Sequence, residues 1–99
     1  MAFSRGDDPR IHLGVAVRKY RLERGFSQER LAQLAGIHRN YAGAVERGER
    51  NVAIVNLVRI ARALGISVSK LLEGVDVPHE RSSARAARMK PPASGKPRF

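Results

Sequence analysis

Phe26-Ser-Gln-Glu-Arg-Leu-Ala-Gln-Leu-Ala-Gly-Ile-His-Arg-Asn-Tyr-Ala-Gly-Ala-Val-Glu-Arg-Gly48 decides the fold of this 99-residue chain. Ser27 is a helix N-cap residue, since its hydroxyl can accept from an amide of the first turn that has no helical partner. Arg30 rather than Glu stands three residues on, so the full capping box is absent. A short helix over Gln28 to Ala35 is expected to bury Leu31 and Leu34, and Gly36 breaks it. A third helix then runs from about His38 to Arg47, opens on Arg39 and Asn40, and stops at Gly48.

The same punctuation continues on both sides. Asp8-Pro9 is a helix start, with Asp as N-cap and Pro at the first helical position. The first helix runs to about Arg24, with Leu13, Val17 and Tyr20 on one face, Arg21 beside them and Gly25 at its end. A fourth helix covers about Ile54 to Leu64, with Ile54, Leu57, Ile60, Ala61 and Leu64 at helical spacing, and Gly65 closes it. Ser67 caps a short fifth helix through Leu72, followed by Gly74. Glycine takes the left-handed conformation after a helix without a Cβ penalty. Five such stops behind five amphipathic windows predict an all-α fold. The expected organisation is a flexible lead over residues 1–8, a five-helix domain over 9–75, and a Pro/Ser/Ala-rich basic tail over 76–99, disordered when free.

Composition narrows the function. The chain carries 42% hydrophobic but only 5% aromatic residues, so the core is aliphatic. There is no cysteine, which excludes disulfides, thiolate metal sites and a Cys nucleophile. His12, His38 and His79 have no metal-ligand spacing, and no metal, cofactor or small-molecule ligand is expected. No phosphate loop, serine elbow or catalytic triad is present, so the chain does not read as an enzyme. No apolar run approaches a membrane span, and the N-terminus has no apolar signal core. A cytoplasmic, nucleoid-associated bacterial protein is the expectation. The net charge is +10, and between His79 and Phe99 six basic residues face Glu80 alone. Such an excess favours a polyanion, nucleic acid first.

A short helix, a glycine turn and a second short helix rich in Arg and Asn form the layout of a helix-turn-helix, which sets its second helix into the DNA major groove. Arg21, Gly25-Phe-Ser-Gln-Glu, Leu31-Ala, Ala35-Gly-Ile, Val45-Glu-Arg-Gly and Ile60-Ala-Arg-Ala-Leu-Gly-Ile carry the reading further. Through these motifs, from Leu13 to Leu72, the chain resembles the Cro/phage-repressor-type (XRE) helix-turn-helix family, whose fold is lambda-repressor-like. Tyr41-Ala-Gly-Ala-Val-Glu-Arg-Gly-Glu-Arg-Asn-Val looks similar to the controller proteins of restriction–modification systems, small dimeric regulators that bind upstream of their own genes.

The resemblance implies roles for particular residues. Arg39 and Asn40 start the reading helix and would contact bases: Arg bonds guanine O6 and N7, and Asn bonds adenine N6 and N7. Ala44 would touch at most a thymine methyl. Ala42, Gly43 and Ala44 are smaller than the residues usual in the family, so part of the specificity is expected from DNA shape. Gln28, at the start of the second helix, would clamp a phosphate. His38, Arg47, Arg50 and Asn51 would meet the backbone on either side of the reading helix. Arg21 and Glu46 would pair and fix that helix to the scaffold. Ile66, Val68, Leu71 and Leu72 exceed the apolar needs of so small a domain and are expected to form a homodimer interface. The reading is therefore a transcription regulator that binds an inverted repeat in double-stranded DNA as a dimer, autoregulates, and occludes or recruits RNA polymerase. The alternative is an antitoxin whose tail holds a toxin while the domain binds its own promoter.

Overall fold

Asp8 starts the first helix as its sequence demands: the carboxylate accepts from the Arg10 amide at 2.9 Å, and Pro9 follows it. The computed structural model describes residues 5–75, and in it α1 spans Pro9–Glu23, α2 Gln28–Ala35, α3 Arg39–Glu46, α4 Ile54–Leu64 and α5 Val68–Leu71. Two single 3-10 turns flank them, at Arg5–Asp7 and Glu73–Val75, and there is no strand among the described residues. The first turn takes up part of the segment expected to be a flexible lead. His12 anchors it, with Nε2 2.8 Å from the Gly6 carbonyl oxygen. The expected tail, residues 76–99, lies outside the described residues.

The caps account for most helix ends. Ser27 and Ser67 accept through Oγ from the Arg30 and Lys70 amides at 2.9 and 3.0 Å. α3 is one residue shorter at each end than expected, because His38 and Arg47 are its caps rather than its first and last turns. Gly36 and Gly65 close α2 and α4 in the left-handed region, at φ 71° and 73°. Gly74 differs from the expected stop. It has no positive φ and lies inside the closing 3-10 turn.

Leu31, Ile60, Leu64, Leu71, Val17 and Val45 form the centre of the core, each less than 2% exposed. α2 packs between α3 and α4, and α1 lies against α3, α4, α5 and the closing turn. Leu34, expected inside, and Ile54, at helical spacing with the core residues of α4, both lie outside the core. Leu34 is 44% exposed and Ile54 64% exposed. In α2 the inward face is centred on Leu31, Ala32 and Ala35, and the small residues let α2 approach its neighbours closely. Ile54 opens α4 and lies beyond the end of the core.

Of the residues expected at a dimer interface, Leu71 is fully buried, whereas Ile66, Val68 and Leu72 are half-buried: one side of each packs against the core and the rest stays at the surface.

Gly14 determines how α1 meets α3. A Cβ at this position would lie 2.6 Å from the Val45 carbonyl oxygen and still closer to that of Glu46. The C-terminal end of α3 therefore rests directly on the α1 backbone. Arg24 joins two other helix ends: its Nε donates to the Leu64 carbonyl at 2.8 Å, at the close of α4.

Candidate nucleic-acid interface

The surface formed by the start of α2, the start of α3 and the loop after α3 is built on one buried ion pair. Arg21, on the inner face of α1, donates from Nε to Glu46 Oε2 at 2.6 Å and from Nη2 to Oε1 at 3.1 Å. The two side chains are 8% and 3% exposed. Arg21 also donates through Nη1 to the Phe26 carbonyl at 2.8 Å, which holds the entry into α2. Gln28 completes the group from the first position of α2, its Nε2 donating to Glu46 Oε1 at 3.0 Å. One carboxylate at the end of α3 thus ties together α1 and α2. A planar guanidinium opposite a carboxylate gives two parallel charge-assisted bonds, which fix orientation as well as distance.

α3 stands on this base. His38 caps it through an unusual acceptor: ring Nδ1 takes the Asn40 amide at 3.0 Å. A nitrogen that accepts carries no proton, so the neutral ring keeps its N–H on Nε2, away from the helix. Arg39 and Asn40 occupy the first turn and are exposed. After the half-buried Tyr41, the four residues Ala42 through Val45 are buried. Ala44, expected to touch at most a thymine methyl, is only 6% exposed, so the helix presents outward mainly the polar side chains of Arg39 and Asn40.

Cations follow α3. Arg47 is exposed and pairs with Glu49, Nε to Oε2 at 3.0 Å. Arg50 lies over the Tyr41 ring at 5.6 Å from its centre, and the Tyr41 hydroxyl accepts from Asn56 Nδ2 at 3.2 Å. Tyr41 is therefore held between the loop and α4. Arg50 gains a cation–π contact that limits where its guanidinium can go. Asn51 is exposed in the same loop. Gln28, His38, Arg39, Asn40, Arg47, Arg50 and Asn51 all belong to these two helix starts and the loop after α3.

Residues 17–71 match the family model described as Helix-turn-helix, more than half of the chain and every element of this surface. The chain belongs to the helix-turn-helix family of Cro/phage-repressor (XRE) type. Control protein C.SmaI of Serratia marcescens is 52% identical over 60 residues, which cover 61% of this chain and 71% of that protein. The crystal structure of the restriction–modification controller protein C.AhdI from Aeromonas hydrophila superposes with a TM-score of 0.62 at 45% identity, covering 63% of this chain and 94% of that one. The biofilm master regulator SinR, solved in complex with DNA, superposes with a TM-score of 0.59 at 34% identity, over 62% and 98% of the two chains. The chain is a helix-turn-helix transcription regulator of the controller and SinR type.

Within this family fold, sequence reasoning missed four residues that shape the domain around the interface. Gly14 sits in an unbroken helix with nothing local to distinguish it from an exposed glycine. The backbone approach that requires it comes from a helix some thirty residues on. Tyr41 and Asn56 lie 15 residues apart, so their bond depends on how α4 folds back beside α3. Arg24 read only as the last residue of the first helix. Among the described residues no three His, Asp or Glu side chains gather to hold a metal, and no helix is long and apolar enough to cross a membrane.

Proposed function

We propose that this regulator binds, as a homodimer, an inverted-repeat operator in DNA upstream of its own gene and thereby controls its own transcription by occluding or recruiting RNA polymerase. The observation that carries the reading is the buried Arg21–Glu46–Gln28 group beneath an α3 whose exposed first turn offers Arg39 and Asn40. A reading helix must be held rigidly if two side chains are to meet base edges in a fixed register. Arg39 supplies the bidentate donor suited to guanine, and Asn40 the donor–acceptor pair suited to adenine. Gln28, Arg47, Arg50 and Asn51 meet phosphates around them, and His38 presents its Nε2 N–H to the backbone.

One reading helix with two long polar side chains specifies few base pairs, which favours a two-fold assembly with helices about 34 Å apart, one turn of DNA. The second copy would meet α4. Ile54 and Val55 are 64% and 58% exposed, and with Val58, Arg59 and Arg62 they line a shallow apolar groove. Together with the half-buried Ile66, Val68 and Leu72 of the neighbouring segment, this groove offers aliphatic surface for an isologous contact. Footprinting on the DNA upstream of the gene at two salt concentrations tests the function. Two protected half-sites about one turn apart that persist at the higher salt are expected. Diffuse protection erased by salt would overturn sequence-specific binding in favour of a generic polycation.

A further inference from the structure

Gly43 lies in the middle of α3 and is buried, although it has no side chain of its own. Two neighbouring side chains cover it. A Cβ at Gly43 would lie 3.1 Å from Arg47 Nη1 and 3.4 Å from Gln28 Oε1. Arg47 is four residues on, and side chains at that spacing share a face and lean toward the helix start. Gln28 reaches the same place from α2. Both polar ends therefore occupy the space that a longer residue at position 43 would fill.

The backbone does not ask for glycine here. Gly43 has no positive φ and sits in regular helix, where alanine or glutamine is the better helix former. The need is for space. We propose that Gly43 is a positioning residue: the notch it leaves seats the Arg47 guanidinium beside the Gln28 amide, so that α2 and α3 grip one DNA phosphate together. The inference rests on the reading of Gln28 and Arg47 as phosphate contacts and adds what brings them together.

Both partners are braced. Gln28 Nε2 donates to Glu46, which turns its Oε1 toward the notch and leaves its second N–H for an anion. Arg47 Nε is engaged by Glu49, which leaves the Nη groups for the phosphate. An exposed arginine has many rotamers, and holding it beside a second donor lowers the entropy lost on binding. The specificity of Arg39 and Asn40 then depends on a register set partly by a residue that touches no DNA.

The test compares Gly43→Gln with Arg47→Ala and with the double variant. Thermal melting is measured together with affinity for a duplex spanning the DNA upstream of the gene, across a salt series. Gly43→Gln is expected to melt at or above the wild-type temperature, because it improves the helix. It is nonetheless expected to bind on the order of ten-fold more weakly, as a lost charge-assisted bond implies, with a salt slope shallower by about one unit. In the Arg47→Ala background the same substitution should cost less than about two-fold, because its effect runs through Arg47. A Gly43→Gln protein with wild-type affinity and slope overturns the notch, and so does an equal loss in both backgrounds, which would mark a direct clash with DNA. Wild-type binding by Arg47→Ala itself would instead overturn the phosphate reading, and the notch with it. Gly43→Ala, which displaces Arg47 by only a few tenths of an ångström, should lose affinity in the same direction and by less.

Discussion

Glu46 shows what a single residue carries in this fold. Its two carboxylate oxygens receive bonds from Arg21 twice and from Gln28 once, in a setting where both members of the ion pair are nearly closed to water. Removing one partner strands the other. Glu46→Ala is expected to cost about 3–5 kcal/mol, because the Arg21 charge is left buried and unpaired. Urea unfolding would check it, and a loss below 1 kcal/mol would show that water reaches the pair. Asp8, the cap of α1, acts through pH. Side-chain and backbone hydrogen bonds from Arg10 hold its carboxyl below the ordinary range, and the Arg10 charge adds to this. A carboxyl with a lowered folded value stabilises the fold above its unfolded pKa and loses that contribution as pH falls through the folded value. Melting temperature should therefore fall below about pH 4, and Asp8→Asn should flatten that part of the profile. An unchanged profile in the variant would assign the acid limb to other carboxylates.

Among the elements, the contact between α1 and α3 is the tightest. Gly14 lets the last carbonyls of α3 rest on the α1 backbone, and no flexible side chain is there to move aside. Gly14→Ala gains helix propensity locally, yet it is expected to destabilise the domain by about 1–3 kcal/mol through overpacking. It should also tilt α3, so DNA affinity should fall even where the variant stays folded. Thermal melting with a binding titration checks both, and a stabilised variant with intact binding would mean that the helices shift apart freely. Gly14 and Gly43 thus differ in kind. The first is filled by backbone and cannot yield, whereas the second is filled by the ends of two polar side chains.

At the scale of the whole molecule, the proposed dimer needs a surface for its second copy. The core takes Leu71, while Ile66, Val68 and Leu72 stay half-buried and α4 keeps Ile54 and Val55 outside. Isolated exposed aliphatic residues are ordinary, whereas Ile54, Val55 and Val58 line one groove on a single helix flanked by Arg59 and Arg62, the surface proposed for the second copy. Val55→Glu places a carboxylate where two copies would meet, and an isologous contact doubles the repulsion. It is expected to shift the protein to monomer in analytical ultracentrifugation and to weaken operator binding by 10-fold or more on the order of one lost half-site, while leaving the melting of the monomer fold within about 0.5 kcal/mol. A variant that remains dimeric would move the interface elsewhere.

Much of this was determined by the sequence alone, wherever the cause is local. Ser27 and Ser67 as caps, Asp8-Pro9 as a start, and Gly36 and Gly65 as stops each act within a few residues, so the bounds of α2 and α4 could be read directly. Arg21 and Glu46 were legible only through the resemblance, since nothing in the chain between them, a separation of 25 positions, indicates a 2.6 Å contact. Tertiary structure alone decided the rest. It chose Ala32 over Leu34 for the inner face of α2, covered most of Ala44, buried Leu71 and made Gly14 indispensable. The reason is common to all four. Periodicity states that a helix has an apolar face, but how closely a neighbour approaches, and at which rotation, is set by the packing of the whole domain.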